Sequence, residues 1–197
     1  MNQPIPLRNL LYVGLCILAI SGCRSAPTRL HSLRTLPAQV TMLYAGPAVR
    51  VDAVHLPADM DRAEITTRSA AGDLTIHELD HWAASLPRMA QQTLTADLVA
   101  RLPPGKVILA PLDKPDHALG LNVVILRSSS DAKGAVFMAS WQASADNAPT
   151  RSGDLVTLES DAAGTPSEVA DRLSELLSQL ADRIAAQLGQ SAGSSSP

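Results

Sequence analysis

Apolar residues in this chain recur at two spacings: alternate positions in several short runs, and every third or fourth position in two longer segments. Val49, Val51 and Ala53 alternate with Arg50, Asp52 and Val54, which predicts a half-buried strand closed by Leu56-Pro57. Glu64 to Arg68 puts Ile65 and Thr67 on one face. Leu74 to Glu78 puts Leu74 and Ile76 inward with Thr75 and His77 outward, and Ser69 to Gly72 between them reads as a hairpin loop. The period then changes. Ser85 as N-cap and Pro87 in the first turn open a helix whose stripe is Leu86, Ala90, Leu94, Leu98 and Leu102, with Met89 beside it; Pro103-Pro104-Gly105 ends it. Lys106 to Ala110 reads as a short apolar strand. Leu119 to Arg127, Ala135 to Ala143 and Asp154 to Glu159 read as a three-stranded meander joined by turn-rich segments, Ser128 to Gly134 and Asp146 to Gly153. Leu121 to Leu126 is apolar on both faces, which predicts a central strand. Phe137 and Trp141 share one face of the next strand, Val136 and Met138 the other. Last, Thr165-Pro166-Ser167-Glu168 is a capping box, and Val169, Leu173, Leu176, Leu177, Leu180, Ile184 and Leu188 follow as one apolar stripe. The sum predicts an α+β domain built on a single mixed, mostly antiparallel β-sheet with the two main α-helices packed on one face.

The N-terminus follows a different logic. Arg8 precedes an apolar run, Leu10 to Ile20, of 11 residues, well short of the roughly 20 that span a bilayer. It ends in Ile20-Ser21-Gly22-Cys23, which resembles the lipobox of bacterial lipoproteins; an ordinary signal peptide with a chance cysteine is the competing reading. The chain thus divides into a signal peptide at 1–22, a lipidated N-terminus and tether at 23–46 with a short strand at 28–33, an α+β domain at 47–189, and a disordered tail at 190–197. A cysteine carrying three acyl chains exceeds the two-signal requirement for stable anchoring. Arg24 stands where aspartate would favour inner-membrane retention, so the expected address is the periplasmic face of the outer membrane.

Composition narrows the class further. Of the residues, 46% are hydrophobic, 18% charged and only 3% aromatic, so the core must be aliphatic. A net charge of −3 gives no basic field for nucleic acid. Cys16 and Cys23 are the only cysteines, so the mature chain holds no intramolecular disulfide and depends on its core alone.

One string carries apparent chemistry. His77-Glu78-Leu79-Asp80-His81 fits H-E-x-x-H, the pattern in which helical spacing brings two imidazoles onto one zinc with glutamate as base. Here the surrounding alternation is that of a strand, which would hold the two histidines about 13 Å apart. A zinc-dependent hydrolase using His77, Glu78 and His81 is therefore a distant alternative, and no catalytic residue, cofactor or metal is expected. Asp61, Arg62, Arg68 and Asp80 form either a structural ion-pair network or a docking patch. Trp82 is either a core anchor or a binding residue.

Leu56-Pro57, Asp61-Arg62, Ile65, Thr67-Arg68-Ser69, Leu74, Asp80 and Trp82 resemble, in order and spacing, the pattern of the PqiC/YmbA-type lipoproteins, with weaker agreement through Ala139-Ser140-Trp141 and the last helix. Ala63, Ala70 and Leu79 depart from it. The resemblance implies a non-catalytic auxiliary lipoprotein of an MCE-type system that moves lipids or hydrophobic molecules between membranes and maintains the envelope. Its expected partners are a periplasm-spanning MCE-domain protein and an inner-membrane transport component, besides the membrane that holds its N-terminal lipid. A homo-oligomer is left open. Cys23 is the expected lipid attachment, and Arg62, Arg68, Asp80 and Trp82 are the candidate docking residues. A lipoprotein chaperone or adaptor of another outer-membrane assembly or secretion machine shares the anchor and is the alternative.

Overall fold

The computed structural model describes residues 26–38, 42–68, 73–131, 134–145, 148–161 and 164–193. The expected signal peptide, Cys23 and the expected hairpin loop at Ser69 to Gly72 lie outside the described residues. The elements run β1 (Arg29–His31), β2 (Val49–His55), β3 (Glu64–Arg68), β4 (Leu74–Trp82), α1 (Leu86–Arg101), β5 (Leu119–Asp131), β6 (Gly134–Ala145), β7 (Ala148–Ser160) and α2 (Pro166–Gly193).

These strands build two sheets, which corrects the single sheet expected from the strand pattern. One has the order β1-β4-β3 and the other β2-β5-β6-β7. β1 runs parallel to β4, and β2 parallel to β5; the remaining pairs are antiparallel. The free edge of β2 explains the split. The backbone of Val49 bridges Val107 through Val49 N–H to Lys106 O and Ile108 N–H to Val49 O, both 2.8 Å. Next along, Gln91 Nε2 donates to Val51 O and Asp52 O at 2.9 Å each. With that edge occupied, the β3–β4 hairpin does not extend the larger sheet beside β2 and pairs with β1 instead. The segment expected to be a strand at Lys106 to Ala110 contributes only the Val107 bridge.

β5 lies centrally, as its apolar run requires. Leu119, Leu121, Val123 and Ile125 turn inward with Phe137, Ala139, Trp141 and Ala143 of β6. The two segments expected as loops are largely ladder: Ser128 pairs with Phe137, Asp131 with Gly134, and Ala145 with Ala148. Turn-type composition does not prevent this, because each non-proline residue still carries a backbone donor and acceptor. α1 and α2 pack on each other; α1 also touches β2, while α2 touches β6, β7 and strands β1 and β3 of the small sheet.

Both helix starts follow local chemistry, to different degrees. Ser85 makes no side-chain cap, so α1 relies on Pro87 in its first turn. At α2 the capping box is complete: Glu168 Oε2 accepts from Thr165 N–H at 2.9 Å and Gly164 N–H at 2.8 Å, and Glu168 N–H donates to Thr165 Oγ1 at 3.3 Å. These N–H donors hold the Glu168 carboxyl below its usual value. Thr165→Ala should therefore cost about 1 kcal/mol of stability, read as a lower urea midpoint at constant slope; an unchanged midpoint would show the cap to be idle. α2 continues past Gly189 to Gly193, and residues 194–197 lie outside the described residues.

The stretch assigned to the tether is bound to the domain from Arg29 onward. Arg34 N–H donates to Ser174 Oγ at 3.1 Å, Leu36 N–H to Asp97 Oδ1 at 3.1 Å and Met42 N–H to Arg101 O at 2.7 Å. This strap crosses both helices.

Candidate functional site

The small sheet holds the stretch from Leu56 to Trp82, and one irregularity decides which way its side chains point. Glu64 pairs with His81, but its neighbour Ile65 pairs with His77, so Glu78, Leu79 and Asp80 face no β3 residue. A strand alternates faces, so this insertion reverses the alternation along β4. Below it, His77 shares the inward face with buried Ile65, and Thr75 with Thr67. Leu74 and Ile76 share the outward face with Arg68 and Thr66, the opposite of the facing expected from alternation alone. Above the insertion Asp80 and Trp82 turn inward, only 3% and 7% exposed.

Asp80 is the fastener of β1. Arg29 Nη2 donates to its Oδ2 at 2.6 Å and His31 Nε2 to its Oδ1 at 2.7 Å, while β1 pairs in register beside it. The Arg29 guanidinium, with His31 behind it, holds the Asp80 carboxyl below the usual carboxylate range despite burial. Trp82 packs into the core, and its backbone N–H donates to Ala63 O at 2.8 Å. Two of the four docking candidates thus hold the fold together from within.

Arg62 and Arg68 are placed differently. Residues 57–62 form a turn, with Met60 N–H to Pro57 O at 2.9 Å, and β3 grips it: Thr66 Oγ1 donates to Asp59 O at 3.0 Å, and Arg68 pairs with the Asp59 carboxylate. Arg62 Nε reaches Glu64 Oε2 at 3.4 Å on the surface. Both guanidiniums remain partly exposed on the β3 edge of the small sheet. Asp61, beside Arg62, is exposed too.

The zinc-like string lies on β4, so its two histidines sit on extended backbone. His77 Nε2 lies 3.2 Å from Thr67 Oγ1, and His81 Nε2 lies 3.0 Å from Glu78 O. Among the described residues no group of three or more His, Cys, Asp or Glu is placed to hold a metal.

The structure also assembles a cluster that periodicity missed. Arg101, 1% exposed, donates through Nε to Asp182 Oδ1 at 2.6 Å, through Nη2 to Ser178 Oγ at 2.6 Å and through Nη1 to Asp97 O at 2.9 Å. Asp97, fully buried one turn earlier, lies 3.7 Å from Arg101 Nη1 and accepts from Leu36 N–H, while its Oδ2 has no hydrogen-bond partner. Burial pushes the Asp97 carboxyl up to about 6, against the opposing pull of the Leu36 N–H and Arg101. The cluster rivets α1, α2 and the strap together. A signal existed: Asp97 and Arg101 fall among Leu94, Leu98 and Leu102, where a solvent-facing charge pair does not belong.

A groove of about 680 Å³ opens between α1 and β2, lined by Ala53, Val54, Arg88, Gln92, Leu109 and Pro111 among others. Among the described residues no helix is long and apolar enough to cross a membrane.

The comparisons with known proteins agree with this architecture. An uncharacterized protein of known crystal structure superposes with a TM-score of 0.59 at 18% identity, covering 84% of this chain and 99% of that one. The crystal structure of XCC0632 from Xanthomonas campestris gives a TM-score of 0.59 at 16% identity, covering 86% and 99%. At these identities the likeness shows the fold. No curated protein matches. The model of the ABC-type transport auxiliary lipoprotein component matches residues 31–185, from the His31 that grips Asp80 to the last buried turns of α2. The chain belongs to that family of transport auxiliary lipoproteins, the PqiC/YmbA type.

Proposed function

We propose that this protein is anchored by acylated Cys23 to the periplasmic face of the outer membrane. There it serves as a non-catalytic docking component of an MCE-type system that moves lipids or other hydrophobic molecules and supports the integrity of the envelope. The carrying observation is the division within the small sheet. The residues that resemble the family pattern separate into Asp80 and Trp82, which lock the fold, and Arg62 and Arg68, which stand on the surface of the β3 edge. A held turn bearing partly exposed guanidiniums suits a protein partner with acidic groups, because Arg62 and Arg68 need only exchange one carboxylate for another. Family membership supports the transport role, and the lipobox-like Ile20-Ser21-Gly22-Cys23 supports the anchor. The partners on this reading are the periplasm-spanning MCE-domain protein and, through it, the inner-membrane component.

Capture measurements test it. Arg62→Ala should weaken binding of the MCE-domain protein about tenfold, the loss of one to two charge-assisted contacts, with an unchanged melting temperature. Arg68→Ala should do the same while loosening the turn that Asp59 anchors. Undiminished capture by both variants returns these arginines to a structural role.

A further inference from the structure

The outward face of the small sheet is divided. Its β3 side is polar, with Glu64, Thr66 and the ion-paired Arg68. Its β4 and β1 side carries, beside His81, four large aliphatic side chains: Leu74 is 39% exposed, Ile76 40%, Leu79 44% and Leu30 69%. Leu74 and Ile76 share this face through their pairing with Arg68 and Thr66. Leu30 does so through its pairing with His81, which itself pairs with Glu64. Leu79 lies within the insertion; it is exposed and directly precedes the inward Asp80, which places it on the outward side. Four large aliphatic side chains exposed together on one sheet face mark a contact surface.

The length of chain before β1 says what covers it. Leu30 follows Cys23 by seven residues. At no more than about 3.6 Å per residue this holds Leu30 within about 25 Å of the anchoring cysteine. From Arg29 onward the chain has no slack, because β1 is paired to β4 and fastened through Asp80. We infer that the aliphatic half of this face, Leu30, Leu74, Ile76 and Leu79, lies against the lipid surface in which the acyl chains are embedded. The contact orients the domain with its polar β3 edge and the Arg62 turn at the rim, open to a partner. The cations nearest the contact, Arg29 and Arg68, are already paired with Asp80 and Asp59. The contact therefore rests on buried apolar area and persists in high salt. The inference relies on the lipid anchor of the proposed function and leaves the identity of the transport partner aside.

The full acylated lipoprotein is the material for the test, reconstituted into vesicles of phosphatidylethanolamine and phosphatidylglycerol that contain spin-labelled phosphatidylcholine. Acylated Cys23 has no free thiol, so Ile76→Cys, Leu79→Cys and, on the outward face of the larger sheet, Leu155→Cys each carry one environment-sensitive fluorophore. Ile76, Leu79 and Leu155 are all exposed, so the labels disturb no core. The expected result is blue-shifted emission and spin-label quenching at positions 76 and 79, in low and high salt, with neither at position 155. Vesicle flotation, lost in a chain produced without residues 1–23 and therefore without acyl chains, reads the anchor separately. Flotation without quenching at 76 and 79, equal quenching at all three positions, or a shift at 76 and 79 only on addition of the MCE-domain protein would each overturn the lipid contact while leaving the anchor standing. A wild-type protein that does not float would overturn both.

Discussion

Arg101→Met should destabilise the domain by roughly 3 kcal/mol at neutral pH, the low end of what removing one partner of a buried ion pair costs. The side chain has nearly the right length and the apolar character of its surroundings, so lost packing contributes little. The cost comes from what stays behind. Asp182 is half-exposed and regains water, but Asp97 is fully buried and keeps only the Leu36 N–H. Without the nearby guanidinium, Asp97 takes up a proton more readily. The penalty in urea unfolding should accordingly shrink as pH falls from about 8 to about 5, where the neutral carboxyl is tolerated. Hydrogen exchange should quicken first at Leu36 and Met42, whose amides are held by Asp97 and by the Arg101 carbonyl. A loss below about 1 kcal/mol, the range of an ordinary surface pair, would mean that the cluster does not bind the helices together.

Asp97 supplies the second large effect, in native protein. Its carboxyl is raised from 3.8 to about 6 in the fold, mainly by burial. The folded state therefore binds a proton that the unfolded state has released, so this group's contribution is full below pH 3.8 and is lost as pH rises toward about 6, then stays lost. The span corresponds to at most about 3 kcal/mol at 1.36 kcal/mol per unit. Asp97→Asn preserves the acceptor for Leu36 N–H and carries no charge. Between about pH 4.5 and pH 6.5 the stability of the wild type should fall relative to that of the variant. Asp80 and Glu168, whose carboxyls are held below their usual values, contribute in the opposite sense and mainly below about pH 4.5, outside this window. Parallel pH curves for the two proteins would place the Asp97 titration outside the range its burial requires.

What could be read from the residues was local. The capping box at Thr165 and Glu168, the stripe of α2 and the central position of β5 all depend on neighbours a few positions apart, and each formed as its pattern demands. The non-local features were hidden. β1 finds β4 across an intervening segment, and β2 gives up its free edge to Val107 and Gln91, which turns one expected sheet into two. The insertion at Glu78, Leu79 and Asp80 reverses the facing of Leu74 and Ile76, because side-chain alternation holds only while the register does. The docking candidates were named together because they share a stretch of chain; burial then separated Asp80 and Trp82 from Arg62 and Arg68. Arg101 escaped notice because Asp182 lies 81 positions away on another helix.

On the proposed function, this lipoprotein presents the β3 edge of its small sheet to an MCE-domain partner while its acyl chains hold it at the outer membrane. Photo-cross-linking in the periplasm, with the probe in place of Arg62, tests it most directly. One dominant adduct with the periplasm-spanning MCE protein is expected, lost when a cleavable, non-acylated signal sequence replaces residues 1–23 and frees the chain from the membrane. An adduct with an outer-membrane assembly or secretion component, or an MCE adduct that is undiminished in the non-acylated chain, would overturn it.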